Sequence, residues 1–157
     1  GTGEHALLVA SRGHRVVGID VAAEAIARAR AKADERPGEP PTFLVGDVLD
    51  PVTMAALGPF DVALDVGLFH ALADDDRPRY AASLASVVRP RGSAFVVCWS
   101  DRNPFGFGPR RVTRRELRAT FSAAAGWRVD GIEAEELASR LPGGRVHAWL
   151  ARLTRRG

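Results

Sequence analysis

Apolar residues recur along the chain at two spacings, one typical of helices and one typical of buried strands. Helical spacing predicts helices over residues 4–12, 22–35 and 75–88, and a capping-box pattern predicts a fourth from about 113 to 121. Short apolar runs predict strands at 15–20, 42–45, 60–65, 93–99, 127–132 and 146–153. Strands that alternate with helices favour an α/β fold with a mainly parallel, doubly wound sheet.

The composition is typical of one soluble globular domain, which we expect to span residues 1–157. Hydrophobic residues make up 46% of the chain and charged residues 26%. No apolar run approaches the ~18 residues of a membrane-spanning helix, so we expect no membrane association and a cytoplasmic location. The single cysteine, Cys98, excludes an internal disulfide framework, and its apolar neighbours indicate a buried strand residue.

Charge divides the chain into an acidic and a basic half. Residues 1–78 carry a net charge of −6 and residues 79–157 a net charge of +9. A basic surface can indicate a nucleic-acid partner. Here Lys32 is the one lysine among 22 basic residues, and alanine and glycine are abundant. This composition favours a coding bias towards arginine over a selected phosphate-binding surface.

A glycine turn followed by a helix and a strand that ends in a carboxylate is the first candidate for chemistry. The turn contains Gly1 and Gly3, and the apolar run that ends at Asp20 follows seventeen residues later. Open α/β sheets hold an adenine nucleoside with this arrangement, because glycine lets the backbone approach the ligand and the carboxylate accepts both ribose hydroxyls. The turn also fits the G-x-G-x-x-A motif of dinucleotide-binding domains.

Acidic residues follow three separate apolar runs. They are Asp20, Asp47 and Asp65. One aspartate at a strand end carries little information, because turns favour aspartate in any case. Three in succession, after a glycine turn, predict a ligand site at the carboxyl ends of the strands, which is where doubly wound sheets bind ligands.

These features together resemble the class I S-adenosylmethionine-dependent methyltransferases, and the resemblance covers nearly the whole chain. Within that family the pattern is similar to the small-molecule branch that includes thiopurine- and tellurite-type enzymes. The segments that carry the resemblance are Gly1-Thr2-Gly3-Glu4, Val17-Gly18-Ile19-Asp20, Gly46-Asp47-Val48, Phe60-Asp61-Val62-Ala63-Leu64-Asp65, Leu68-Phe69-His70-Ala71-Leu72 and Arg89-Pro90-Arg91-Gly92.

The resemblance implies a Rossmann-like fold with helices on both faces of the sheet and an antiparallel C-terminal strand. It also implies a cofactor site for S-adenosylmethionine, released as S-adenosylhomocysteine. Asp20 would accept the ribose hydroxyls, Asp47 the adenine amino group, and Asp65 would lie near the sulfonium. The cofactor-binding residues implied are Gly1, Gly3, Asp20, Val21, Asp47, Val48 and Asp65.

The resemblance places the methyl acceptor beside Phe69 and His70. His70 is the candidate general base for a hydroxyl or protonated nitrogen, and a hydrogen-bonded structural histidine is the alternative. Phe69 is either an acceptor contact or a core residue. Phe105 and Phe107, in a loop rich in glycine and proline, are candidate apolar contacts of the acceptor. The other histidines show no metal-ligand spacing with His70, so we expect no metal.

A small-molecule acceptor is expected because the motifs of two nucleic-acid classes are missing. Exocyclic-amine methyltransferases carry an Asn/Asp-Pro-Pro-aromatic run where this chain reads Asp65-Val66-Gly67-Leu68. Cytosine C5 enzymes use a Pro-Cys nucleophile, and Cys98 has no adjacent proline.

Two other functions fit parts of the sequence. One is an NAD(P)- or FAD-binding oxidoreductase domain, although the segments around Asp47 and Asp65 fit the methyltransferase pattern better and no substrate domain follows. The other is a non-catalytic, truncated methyltransferase-like interaction domain. The family resemblance implies a first strand and the first half of the binding loop before Gly1, so we expect the native protein to be longer.

Overall fold

A computed structural model describes residues 1–104, 106, 108–139 and 143–157. The chain divides into two compact units, Gly1–Thr53 and Met54–Gly157. Each unit is described by itself, and the single domain over 1–157 stays a prediction. Within the described ranges, every helix is too short or too polar to span a bilayer.

The first unit contains two helices and a parallel pair of strands. The elements are α1 (Glu4–Ala10), β1 (Val17–Asp20), α2 (Ala23–Asp34) and β2 (Thr42–Val45), with α3 (Pro51–Ala55) at the boundary between the units. Val17 lies opposite Thr42 and Asp20 opposite Val45, so the carboxyl ends of β1 and β2 are level with each other. The sequence predicted both strands and both long helices, and it did not predict the short helix α3.

An apolar cluster on the inner faces of the helices and of β2 holds the first unit together. Alanines at three-residue and four-residue spacing give α2 a flat apolar stripe, and the ring of a phenylalanine on β2 fills the space against it. The cluster consists of Leu7, Ile26, Ala29, Ala33 and Phe43. This packing fixes the glycine turn and the ends of the two strands relative to each other.

The second unit is a four-stranded mixed sheet with two helices. Its elements are β3 (Phe60–Val66), α4 (Asp76–Val87), β4 (Val88–Trp99), α5 (Arg114–Thr120), β5 (Trp127–Ala138) and β6 (Arg145–Arg155). The strand order is β3-β4-β6-β5. β3 is parallel to β4, and β6 is antiparallel to both β4 and β5. Three strands therefore share one direction, which confirms the predicted α/β fold with an antiparallel C-terminal strand.

The main difference from the predicted elements is the length of β5. The apolar pattern predicts a strand to residue 132, and β5 continues to Ala138 through a stretch of exposed glutamates. This extension pairs with β6 from Glu133 opposite Leu150 to Ala138 opposite Arg145. The main-chain ladder, rather than burial of side chains, therefore sets the end of this strand.

Aromatic side chains form the centre of the second unit. Trp127, on β5, is almost fully buried, and its indole N–H donates to the carbonyl oxygen of Ala81 on α4 at 2.9 Å. Phe121 packs against Trp127 edge to face, with ring centroids 6.1 Å apart. α4 and the C-terminal end of α5 are thereby fixed against the sheet, next to the turn that follows β3.

Candidate active site

The glycine turn of the first unit has no room for a side chain at Gly3. This residue precedes α1 and has a φ of 83°, a left-handed conformation that favours glycine. A Cβ atom there would lie 2.8 Å from Cζ of Phe43 and 2.9 Å from Cβ of Ala29. Glycine at position 3 is therefore required by the backbone conformation and by packing on the apolar cluster.

Asp20 ends β1 with an ionised carboxylate. Its Oδ1 accepts the main-chain N–H of Ala22 at 2.8 Å, and its Oδ2 pairs with the terminal ammonium group of Gly1. Burial raises the pKa of Asp20, but the hydrogen bonds from Gly1 and Ala22 outweigh it, so the pKa lies below its ordinary value. The next residue, Val21, is 67% exposed and presents an apolar surface beside the carboxylate.

Asp47 lies at the same end of the strand pair. The main-chain N–H of Gly46 donates to the carbonyl oxygen of Asp20 at 3.0 Å, so the chain leaves β2 directly beside the end of β1. Asp47 is exposed, and its Oδ1 accepts the N–H of Leu49 at 2.8 Å in a local turn. The half-buried Val48 lies between these two residues in the chain.

The first unit therefore brings together the glycine turn and the carboxylates expected to hold an adenine nucleoside. Each oxygen of an ionised aspartate has two lone pairs, so Asp20 can accept hydroxyl donors such as those of a ribose in addition to its present hydrogen bonds. An exposed apolar side chain next to it suits the face of a purine ring. The chemistry of this donor and acceptor set fits the nucleoside of S-adenosylmethionine. The assignments of Gly1, Gly3, Asp20, Val21, Asp47 and Val48 to cofactor binding stay predictions.

In the second unit, Asp65 is hydrogen-bonded within the protein, and its assignment to the cofactor site stays a prediction. Its side chain is buried, Oδ1 accepts the N–H of Leu68 at 2.8 Å, and Oδ2 accepts the N–H of Phe69 at 3.1 Å and the hydroxyl of Tyr80 at 2.8 Å. Burial raises the pKa of Asp65 to about 6, against the lowering effect of these three hydrogen bonds. The carboxylate therefore holds the turn after β3 in shape, and any effect of Asp65 on the cofactor would act through that turn.

Phe69 is a core residue, which corrects its assignment as an acceptor contact. Its side chain has 0% exposure. The ring packs against Phe121 with centroids 5.5 Å apart and against Tyr80 at 6.4 Å, and the guanidinium of Arg77 lies over it at 4.7 Å. No surface of the ring is left for a ligand.

His70 is half-buried in the same turn. Its Nδ1 accepts the main-chain N–H of Trp99, the last residue of β4, at 3.0 Å. Burial, followed by the positive charge of Arg77, lowers the pKa of His70. The imidazole is therefore a fixed, neutral group at the carboxyl ends of β3 and β4.

Arg77 and Tyr80 are two buried polar residues that the sequence reasoning missed. Arg77 is 4% exposed and Tyr80 is 3% exposed, and both lie on α4. The spacing of Arg77, Tyr80 and Leu84 along one helix face is the signal that could have placed them against the sheet. The two predicted acceptor contacts Phe105 and Phe107 lie outside the described residues. Across the described ranges, no group of three histidine, cysteine or acidic side chains could hold a metal ion.

Comparison with known proteins identifies the family. The family profile described as "Methyltransferase domain" matches residues 1–92. A 2-heptyl-1-hydroxyquinolin-4(1H)-one methyltransferase from Mycobacteroides abscessus is 34% identical over 135 residues, which cover 84% of this chain. The match spans 57% of that relative, so the chain is similar to somewhat more than half of it.

Solved structures share the fold along almost the entire chain. One, described as "Conversion of a Disulfide Bond into a Thioacetal Group during Echinomycin Biosynthesis", is 31% identical with a TM-score of 0.85, and the match covers 99% of this chain and 73% of the other. The 1,6-didemethyltoxoflavin-N1-methyltransferase of Burkholderia thailandensis, solved with its substrate and S-adenosylhomocysteine, is 22% identical with a TM-score of 0.75, covering 100% and 68%. That likeness shows the fold alone.

These matches favour a methyltransferase over the dinucleotide-binding alternative, because the family profile and the Mycobacteroides abscessus relative are both described as methyltransferases. The matched residues 1–92 include the glycine turn, the three aspartates and His70. The chain belongs to the methyltransferase domain family, which confirms the predicted resemblance to class I S-adenosylmethionine-dependent methyltransferases.

Proposed function

We propose that this protein transfers a methyl group from S-adenosylmethionine to a small-molecule acceptor. The observation that carries the proposal is the end of the β1–β2 pair, where Gly1 of the glycine turn pairs with Asp20 and β2 leads directly to the exposed Asp47. The bound cofactor would supply a methyl group on a positively charged sulfur, so that a lone pair of the acceptor forms the new bond as the carbon–sulfur bond breaks and leaves S-adenosylhomocysteine.

The first unit would bind the nucleoside part of the cofactor. Asp20 would accept the ribose hydroxyls, and Val21 would cover one face of the adenine ring. Asp47 would accept from the adenine amino group, with the main-chain N–H of Val48 directed to the ring. Gly1 and Gly3 would let the backbone approach the amino-acid part of the cofactor. Asp20, Val21, Asp47 and Val48 lie at or directly after the carboxyl ends of two parallel strands, where doubly wound sheets bind ligands.

The acceptor is proposed to be a small heterocyclic or sulfur-containing compound. The mycobacterial relative acts on 2-heptyl-1-hydroxyquinolin-4(1H)-one, which carries a hydroxyl on a ring nitrogen. The echinomycin-related structure concerns sulfur chemistry. Hydroxylated heterocycles are therefore the first acceptors to test, followed by thiols. Holding the acceptor in line with the methyl group can supply about 7–11 kcal/mol of the barrier reduction.

Calorimetric titration tests the cofactor. We expect S-adenosylhomocysteine to bind and NAD not to bind. Replacing Asp20 with alanine should weaken binding roughly 10- to 100-fold, because a hydrogen bond to a charged group contributes about 1.5–3 kcal/mol. Asp34→Ala is the matched control, since Asp34 is an exposed acid at the end of α2 in the same unit. Binding of NAD alone would overturn the proposal.

A release assay for S-adenosylhomocysteine tests the reaction. The acceptors are a 2-alkyl-1-hydroxyquinolin-4-one, simple phenols, thiols, amines and metalloid oxyanions. We expect turnover with at least one ring hydroxyl or thiol. Tight binding of S-adenosylhomocysteine without turnover on any of these acceptors would instead support the non-catalytic alternative.

A further inference from the structure

The hydrogen bond at Nδ1 of His70 determines which ring nitrogen carries the proton. A neutral imidazole has one N–H donor and one bare acceptor nitrogen. Since Nδ1 accepts the main-chain N–H of Trp99 at 3.0 Å, the proton must reside on Nε2. We propose that His70 donates a hydrogen bond through Nε2–H to an acceptor that enters as its anion, and that it does not act as the general base.

The alternative tautomer is excluded by the donor that faces Nδ1. A general base at Nε2 would need the proton on Nδ1, and that proton would then point at the N–H of Trp99. Two donors in contact would leave a main-chain N–H of β4 without its acceptor, at a cost of about 1–3 kcal/mol. The aromatic ring of Trp99 packs edge to face on the imidazole, with centroids 6.3 Å apart, and restricts rotation of the histidine.

The surroundings keep the imidazole neutral. Arg77, on α4, is the charged group that acts on His70, and it acts together with burial to lower the pKa of the imidazole. The acids of neighbouring elements are already engaged. Asp65, on β3, binds Tyr80 and the main chain of the turn, and Glu116, on α5, binds Arg77 and the cap of its own helix. The thiol of Cys98, on β4, is neutral because burial raises its pKa to about 12.

The Nε2 edge of His70 lies against a position where the chain has no side chain. Gly67 has a φ of 97°, and a Cβ atom built on it would lie 3.6 Å from Cε1 and 3.8 Å from Nε2 of His70. With glycine at position 67, no side chain of that residue covers this edge of the ring. The edge belongs to the turn at the carboxyl end of β3, where the fold places ligands.

The Nε2–H donor of His70 favours one class of methyl acceptor. This inference rests on the proposed methyl transfer. The acceptor would lose its proton to solvent before transfer, and its anionic oxygen would accept from Nε2–H and carry the lone pair that bonds to the methyl carbon. His70 keeps its proton throughout. The positive charge of Arg77 favours an anion at this site further. Ring hydroxyls that ionise near neutral pH, such as N-hydroxy heterocycles and acidic phenols, fit this chemistry.

Nuclear magnetic resonance of nitrogen-15-labelled histidine tests the tautomer without any turnover. The chain has four histidines, and the His70→Gln variant assigns the signal. We expect a neutral ring at pH 7 with the proton on Nε2. A proton on Nδ1, or a cationic ring at pH 7, would overturn the inference whether or not the protein methylates anything.

Kinetic measurements with a compound that the protein methylates test the role of His70 as a hydrogen-bond donor. His70→Ala should lower kcat/KM roughly 10- to 100-fold, because a hydrogen bond to a charged group is lost. His70→Gln keeps an N–H donor and His70→Glu keeps a base, and we expect the smaller loss of kcat/KM in His70→Gln. The acidic limb of the kcat/KM profile should follow the pKa of the acceptor across a series of substituted phenols. His147→Gln, at a half-buried histidine of β6, is the matched control.

Two kinetic results would contradict the inference. One is an acidic limb of the kcat/KM profile that lies at the same pH for all methyl acceptors and disappears in His70→Gln. That result would identify His70 as the base. The other is equal loss in His70→Gln and His70→Ala. If no acceptor is methylated, the proposed function fails and the tautomer measurement still decides the state of His70.

Discussion

The hydroxyl of Tyr80 donates to Oδ2 of Asp65 at 2.8 Å, and both side chains are buried. The same carboxylate binds the main chain of Leu68 and Phe69, so one aspartate connects β3, α4 and the turn that carries His70. Burial raises the pKa of Asp65 to about 6, although each of these hydrogen bonds lowers it. The turn of the candidate site therefore depends on an acid that titrates just below neutral pH.

Asp65 should make the stability of the folded protein depend on pH between about 4 and 6. Its folded pKa lies above the ordinary value, so the folded state binds the proton more tightly than the unfolded state does. That contribution is complete below pH ~4 and is lost as the pH rises through about 6. A shift of about two pKa units corresponds to about 3 kcal/mol. The free energy of unfolding of Asp65→Asn, minus that of the wild type, should therefore rise by up to ~3 kcal/mol between pH 4 and pH 7. Urea unfolding at a series of pH values measures this difference.

Two further variants check this prediction. Asp61→Asn is the control, because Asp61 lies on the same strand with its side chain 71% exposed and should show a small change. Tyr80→Phe removes a hydrogen bond that lowers the pKa of Asp65, so the transition should move to higher pH. Parallel stability curves for the wild type and Asp65→Asn would contradict the assignment.

Gly3→Ala should destabilise the protein for two separable reasons. The left-handed backbone at φ 83° costs a residue with a Cβ atom about 1–2 kcal/mol. The added methyl would also overlap Phe43 and Ala29, and overpacking adds about 1–3 kcal/mol. Gly13→Ala isolates the first effect, because Gly13 has a φ of 84° with no atom within 4 Å of the added carbon. Urea unfolding measures the destabilisation by each variant, and the excess in Gly3→Ala is the cost of the overlap.

A double substitution identifies the overlap. Phe43→Leu in the Gly3→Ala background should recover part of the loss, because the shorter side chain vacates the space that the new methyl needs. Equal destabilisation by Gly3→Ala and Gly13→Ala would show that the turn relaxes away from Phe43 and that close packing does not explain the glycine.

The local features of the fold were predictable because each one depends on a pattern of residue types within a short segment of the sequence. Short apolar runs mark β1 and β3, which end at Asp20 and Val66. The capping box at Thr113 and Glu116 marks the start of α5, and both of its hydrogen bonds are present. The glycine at position 3 is required by the backbone and by packing, whereas the sequence suggested close approach to a ligand.

The contacts of Asp65 and of His70 in the turn after β3 were not predictable, because they join residues that are distant in the sequence. The bond from Trp99 to His70 spans 29 positions and the bond from Tyr80 to Asp65 spans 15. Both involve main-chain groups or helix faces whose place depends on how α4 and β4 pack beside β3. The role of His70 stays a prediction, and its tautomer depends on the end of another strand.

Cys98 should resist thiol reagents until the protein unfolds. It is the single cysteine of the chain, its side chain has 0% exposure, and burial raises its pKa to about 12. Thiolate is the reactive form, so both access and ionisation are suppressed. We expect no reaction with a coloured disulfide reagent over hours at pH 8 and complete reaction in denaturant, with Ser100→Cys as a second buried thiol for comparison. Fast modification of the native protein would show that β4 opens locally.

Arg77 should contribute little to stability, although it is buried and paired. It is 4% exposed, its Nη1 lies 3.3 Å from Glu116 and 3.5 Å from Asp74, and its Nε and Nη2 lack a partner among the described residues. Burial lowers its pKa, which means that the charged form is held at a cost. Removing one partner of a buried ion pair is costly where it leaves a buried charge unpaired, but Glu116 and Asp74 both keep a contact with Arg110. Arg77→Met should therefore change the free energy of unfolding by less than about 1 kcal/mol.

Glu116→Gln should cost more than Arg77→Met. Glutamine keeps the oxygen that caps α5 but removes the charge that compensates Arg77, which leaves a buried cation with a weaker partner. We expect a loss of about 1–3 kcal/mol in urea unfolding at pH 7, and a smaller loss in the Arg77→Met background. Glu136→Gln, which removes an exposed pair with Arg145, should cost less than about 0.5 kcal/mol. Strict additivity of the Arg77 and Glu116 substitutions would mean that the two charges do not stabilise each other, and that the role of Glu116 is confined to the helix cap.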